Sequence, residues 1–153
     1  MTSAAEKKLA ELGYTIPDAP APAANYVPYV ISGNLVFVSG QISMNADGLI
    51  LGKLGDTMEV PAAQKAAAAC ALNLIAQLRA AIGDLDKLVR VVKLTGFVNS
   101  TPDFTDHPEV VNGASDLIGE VFGDKGAHAR AAVGVAALPR GVAVEVEGIF
   151  EIA

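Results

Sequence analysis

A chain of 153 residues is one domain's worth of polypeptide, long enough to enclose a hydrophobic core and too short to make two. Apolar residues make up 52% and charged residues 18%, a balance that predicts burial of part of the apolar surface between subunits. The net charge is −6 and the 11 basic residues are scattered singly, so no Lys/Arg stripe exists to neutralise a phosphate backbone, and nucleic acid is not an expected partner.

Residues 3–13 place Leu9 and Leu12 among Ala, Lys and Glu and end at Gly13, which predicts a short amphipathic helix with a glycine stop, read as an appendage. The run "TIPDAPAPAANYVP" cannot be helical, because each proline removes a donor and restricts its predecessor. It reads as an extended tether, so residues 1–24 are expected to precede a domain at 25–153. In "YVISGNLVFVSGQIS" two β-branched and aromatic runs flank Gly33-Asn34, predicting a hairpin with strands at 27–32 and 34–42. A short strand near Leu49–Leu51 is also expected.

Pro61 then opens a helix whose Ala71, Leu72, Ile75, Leu78 and Ile82 recur at helical spacing, closed by Gly83. "LVRVVKLTGFVNS" alternates as a long strand, with Gly96 marking a bulge or a close backbone approach. Pro108 suits the first turn of a further helix whose Val111, Ala114, Ser115, Ile118, Val121 and Phe122 share a face and which ends at Gly123. Two last strands, "RAAVGVAA" and "VAVEVEGIFEI", lie either side of the turn "LPRG". The order predicts an α+β sandwich of two layers, a mixed sheet with two helices packed on one face. Strand residues on both faces are apolar, so the second face is expected to meet the same face of sister subunits in a closed ring.

The strand that begins near Arg130 is otherwise apolar, and the next strand carries Glu145 and Glu147 on one face by the period-two rule, with Val142, Val144 and Val146 on the other. On this reading the arginine faces the two glutamates. His107 and His128 lack partners at metal-ligand spacing, so no metal is implied. Cys70, the single cysteine, sits in an Ala-rich helical run and reads as a small buried side chain, in keeping with a reducing cytoplasm. The charged N-terminus does not fit a signal peptide, no window is taken to approach a membrane span, and no membrane partner is expected. The glycines at 33, 48, 52 and 55 fit no phosphate loop and read as turns, and Asp84 and Asp86 read as solvent-facing.

The stretches "GNLVFVSGQI" (33–42), "LVRVVKLTGFV" (88–98), "VVNGASDLIGEVF" (110–122) and "ARAAVGVAALPRGVAVEVEGI" (129–149) together resemble the Rid/YjgF family of imine deaminases. The resemblance covers residues 25–153 and implies a chorismate-mutase-like subunit forming homotrimers with a cleft at each subunit interface. It further implies hydrolysis of reactive enamines and imines of amino acids to a keto acid and ammonia, with a small imino or keto acid as ligand and no cofactor. The family also carries the name endoribonuclease L-PSP, which the acidic charge and 5% aromatic content speak against. A trimer that binds a small carboxylate without turnover is the other alternative.

Position by position, the family's substrate arginine falls on Arg130, its cleft glycine on Gly40, its strand glutamate on Glu145, its cleft tyrosine on Tyr26 and its helix asparagine on Asn112. The resemblance therefore implies Arg130 and Glu145 as catalytic residues and Tyr26, Gly40, Asn112 and Arg130 as substrate contacts. Guanidinium is the natural anchor for a carboxylate, through two parallel hydrogen bonds, and a carboxylate is the usual device for orienting an attacking water. His128 lies close to Arg130, yet nothing in the pattern requires a base there. This chain departs from the family in Ala129, Ala131 and Ala132 around the arginine, in the N-terminal helix, and in the longer loop at 99–109.

Overall fold

The computed structural model describes residues 2–22 and 24–153. Three helices and seven strands follow in the order α1 (Ala4–Glu11), β1 (Tyr29–Ser32), β2 (Leu35–Ile42), β3 (Met44–Asn45), β4 (Gly48–Leu49), α2 (Val60–Ile82), β5 (Leu88–Asn99), α3 (His107–Phe122), β6 (Ala129–Val135) and β7 (Val144–Ile152). The hairpin, the two long helices and the three long strands all form where periodicity placed them. The expected strand near Leu49–Leu51 is instead the two-residue strand β4 paired with β3, and Leu51 makes only an isolated bridge to Val142.

The main sheet runs β1-β2-β7-β5-β6, with β5 and β6 parallel and the other neighbours antiparallel. Central β7 thus separates the hairpin from β5, and β5 separates β7 from β6. Val36, Val38, Leu94, Val98, Val144, Val146 and Phe150 turn to one face and are buried under α2 and α3. The predicted helical faces do this work: Ala71, Ile75 and Leu78 of α2 and Val111, Ala114, Ile118 and Val121 of α3 are all buried. Gly96 marks a close approach and not a bulge, since a Cβ there would run into the Val111 side chain, while the register shifts of β5 lie nearer its start.

Helix α1 is no appendage. Ser3 caps it, its Oγ accepting from Glu6 N at 3.1 Å and donating to Glu6 Oε1 at 3.0 Å, a reciprocal arrangement that satisfies an orphan amide. Ala5 and Leu9 join the main core, and Asp86, read as solvent-facing, accepts from Ala4 N at 3.0 Å through its Oδ1. One leucine and one alanine buried from a helix of which half is charged are a weak sequence signal, which is why only the fold reveals it.

One helix, α2, is long and apolar enough to cross a membrane by length and composition, contrary to the sequence expectation, but most of it is buried inside the fold. Its alanines allow close approach to α3. At Gly113 of α3 an added Cβ would overlap the backbone carbonyl of Gln64 on α2, an obstacle that no side-chain rotation relieves. Gly113→Ala should gain about 1 kcal/mol of helix propensity and lose about 1–3 kcal/mol or more to overpacking, a net loss. Gly119→Ala, six residues further along α3 where a Cβ meets nothing within 4 Å, should instead stabilise by roughly 0.5–1 kcal/mol. Urea midpoints of the two variants check the opposite signs; equal shifts would rule out close helix packing as the reason for Gly113.

Candidate functional site

On β7 the alternation that buries Val144 and Val146 sends Glu145 and Glu147 to the face that the helices leave bare, as the period-two rule predicts. Lys93, Thr95 and Phe97 of β5 stand opposite Ile149, Glu147 and Glu145 across that face. Phe37, Val30 and Val133, at 41%, 51% and 44% exposure, make it apolar from edge to edge. This is a bare sheet face with few charges.

At one end of the sheet β2 shifts register between Val38 and Gln41, so Gly40 lies against Glu145. A Cβ at residue 40 would coincide with the Glu145 carboxylate, so any other residue would displace that side chain from the position it holds here. Tyr26, Gly40 and Glu145 line a single cleft of about 100 Å³, together with Ile42, Met44 and Pro20 of the tether. Gln77, buried on α2, ties the tether down by donating from Nε2 to the Pro20 carbonyl at 2.7 Å. Sequence reasoning missed this wall of the cleft, because a proline-rich stretch carries no signal of where it docks.

Burial, and then the neighbouring charge of Glu147, hold the Glu145 carboxyl above the ordinary glutamate range. Cys70 lies beneath the same strand, its Sγ donating to the Val144 carbonyl at 3.5 Å; burial first and the Glu145 charge second push its thiol far up, so it stays protonated and inert. That agrees with its reading as a buried apolar side chain. No group of three or more His, Cys, Asp or Glu side chains converges as a metal site among the described residues.

Arg130 sits elsewhere. It is on edge strand β6, and its side chain lies on the helix side, where Nη1 donates to Asn112 Oδ1 at 2.8 Å and to Ser115 Oγ at 3.2 Å, and Nη2 donates to the Pro108 carbonyl at 3.3 Å. All three acceptors are neutral and all belong to α3. Among the described residues no carboxylate lies within 4.0 Å of it, the ion pairs being Lys8–Glu11 and Arg79–Glu6.

The expectation that Arg130 faces Glu145 and Glu147 on an adjacent strand is therefore incorrect. Strand β5 lies between them, Arg130 is level with Leu94 and Glu145 with Phe97, and the two side chains leave opposite faces. Two strand spacings sideways and three residues along put their Cα atoms roughly 14 Å apart. The expected site residues thus fall into two groups, Tyr26 with Gly40 and Glu145 in one, Asn112 with Arg130 in the other.

The two-layer α+β sandwich, a mixed sheet with two helices on one face, is a chorismate-mutase-like fold. Residues 6–146 match the family described as "YjgF/chorismate_mutase-like, putative endoribonuclease". The chain is 54% identical over 146 residues to Protein TCP17 of Trypanosoma cruzi, spanning 94% of this chain and 91% of that one. It is 34% identical over 134 residues to the 2-iminobutanoate/2-iminopropanoate deaminase of Escherichia coli, spanning 86% and 91% of the two chains. The crystal structure of Atu1372 from Agrobacterium tumefaciens matches with a TM-score of 0.92 at 50% identity, covering 98% of this chain and 93% of that one. The chain belongs to the YjgF/chorismate-mutase-like family, which includes the Rid imine deaminases. The family match begins at residue 6, within α1, and so takes in the segment that the sequence had set apart at residue 25.

Proposed function

We propose that this protein is an imine/enamine deaminase that hydrolyses reactive α-imino acids to keto acid and ammonia. The observation that carries the reading is Arg130, a guanidinium held by three neutral acceptors with no carboxylate partner among the described residues. Both Nη1 hydrogens and one on Nη2 are engaged, and the Nε hydrogen and the second on Nη2 have no acceptor among the described residues. Such a cation is oriented but its charge is not neutralised, which suits capture of an organic anion.

Two half-sites on opposite faces of one chain have to come from different protomers to act together. The bare apolar face supports a closed homotrimer in which the Arg130 edge of one protomer meets the Glu145 cleft of its partner. Arg130 holds the substrate carboxylate and draws electrons from the adjacent C=N carbon. Glu145 accepts a proton from water as the oxygen adds to that carbon and passes it to the nitrogen, giving a carbinolamine; the carbinolamine hydroxyl then gives its own proton to the nitrogen through the same carboxylate as C=O forms, the C–N bond breaks and ammonia leaves. The Gly40 backbone, with no Cβ, can come close to the substrate and to the Glu145 carboxylate, and Tyr26 borders the same cleft.

Generating imines with an amino acid oxidase and trapping them with semicarbazide tests this directly. The protein should divert imine from the trap, and Glu145→Gln should lower kcat by about 10²-fold. Since the Glu145 carboxyl stands above the usual range, activity should fall on acidification at a higher pH than an ordinary glutamate would set, and that limb should be absent in the variant. Stability runs the other way. A carboxyl raised in the folded state favours folding when protonated, a contribution complete below its unfolded value and lost as pH rises through its folded value. Glu145→Gln should therefore melt higher than wild type near neutrality and match it in acid. No diversion of imine from any amino acid would overturn the assignment.

A further inference from the structure

Ser115 is one of the acceptors that hold Arg130, and His128, which the reaction just described does not use, stands behind it. His128 lies two residues before Arg130, just ahead of β6, and Ser115 is on the α3 face turned to that strand. His128 Nδ1 lies 2.6 Å from the Gly126 carbonyl and Nε2 lies 2.9 Å from Ser115 Oγ. A carbonyl only accepts, so Nδ1 carries the proton and Nε2 presents its lone pair. The Ser115 hydroxyl then donates to Nε2, which turns the oxygen's own lone pairs toward Arg130 Nη1 at 3.2 Å.

We infer that His128 and Ser115 are positioning residues that set the direction of the Arg130 guanidinium through a one-way chain of hydrogen bonds anchored on the Gly126 carbonyl. Each link has one sense only. The anchor is firm, because Gly126 is buried against α3, where an added Cβ would press on the Ile118 carbonyl at 2.6 Å. Without the chain the Ser115 hydroxyl loses the acceptor that holds its proton, and its oxygen is free to turn away from Arg130, releasing one Nη1 hydrogen. Asn112 alone then holds Nη1. The role bears on substrate binding because it rests on Arg130 gripping a carboxylate, as proposed above.

Isosteric variants separate the links. His128→Gln keeps an acceptor where Nε2 stood, whereas His128→Asn keeps only the contact to Gly126, and Ser115→Ala removes the middle of the chain. Pyruvate, a stable keto acid, serves as the binding probe. Ser115→Ala and His128→Asn should weaken its binding about tenfold, the scale of one hydrogen bond to a charged group, and lower kcat/KM for imine hydrolysis in the same proportion, while His128→Gln should stay near wild type. Nitrogen NMR should find His128 protonated on Nδ1. It should also resolve slowly rotating Arg130 Nη signals in wild type and His128→Gln and averaged ones in His128→Asn.

A proton on Nε2 of neutral His128, or identical Arg130 signals in all three proteins, would overturn the relay. Should wild type neither hydrolyse imines nor bind pyruvate, the deaminase reading falls, and the NMR signals alone still decide the relay. Matching thermal midpoints for the asparagine and glutamine variants would show that the difference between them is not one of folding.

Discussion

Arg130→Ala is expected to lower kcat/KM for imine hydrolysis by about 10³-fold, the upper range for removing one preorganised donor to a developing charge. The size follows from the environment. The guanidinium is half-buried, held by Asn112, Ser115 and the Pro108 carbonyl, and has no internal counter-ion among the described residues, so its field acts on the ligand. Arg130→Lys should recover little of the loss, because an ammonium keeps the charge but not the planar fork that matches a carboxylate. Folding should be nearly unaffected, since the side chain sits at a sheet edge where water reaches the acceptors it leaves behind. Competition with semicarbazide gives the rate, and a thermal midpoint gives the control. If Arg130→Ala diverts imine as fast as wild type, the deaminase reading loses the observation on which it rests.

Phe150→Ala should cost about 3–5 kcal/mol of stability, the range for emptying a fully buried aromatic site. Phe150 lies on central β7 between Val36 of β2 and Val91 of β5, all three fully buried, and its ring covers the space that Gly148 leaves open. Its register partners Val36 and Val91 are short and β-branched and reach little into the void, so the cavity term adds to the lost transfer energy. A urea titration should show a lower midpoint with an unchanged slope; a loss under about 1.5 kcal/mol would mean that the core closes up around the site. The same strand carries Glu145 on its other face. Core packing behind β7 therefore also sets where the carboxylate stands in its cleft.

The elements themselves were legible in the sequence. Residues at 3.6 spacing in α2 and α3 and β-branched alternation in β2, β5 and β7 gave the helices and strands nearly to their ends, because burial of one face imposes those periods. Alternation also placed Glu145 and Glu147 together on the bare face, and the resemblance picked out Tyr26, Gly40 and Glu145, which one cleft does contain. Asn112 was read as a contact for substrate or water, and its amide oxygen holds Arg130. The relay behind Arg130 went unseen, since hydrogen bonds between His128, Ser115 and Gly126 depend on how α3 lies over β6.

Local periodicity thus determined the secondary structure, the two-layer class and which residues of one strand share a face, all properties of residues a few positions apart. Strand order was decided only in three dimensions. A period of two says which face a side chain takes and nothing about which strand becomes its neighbour, so the insertion of β5 between β6 and β7 could not be read along the chain. That one insertion carries Arg130 away from Glu145 and divides the site into halves on opposite faces. The docking of α1 and of Pro20 was decided in the same way, by long-range contacts that leave no periodic trace in the residues that make them.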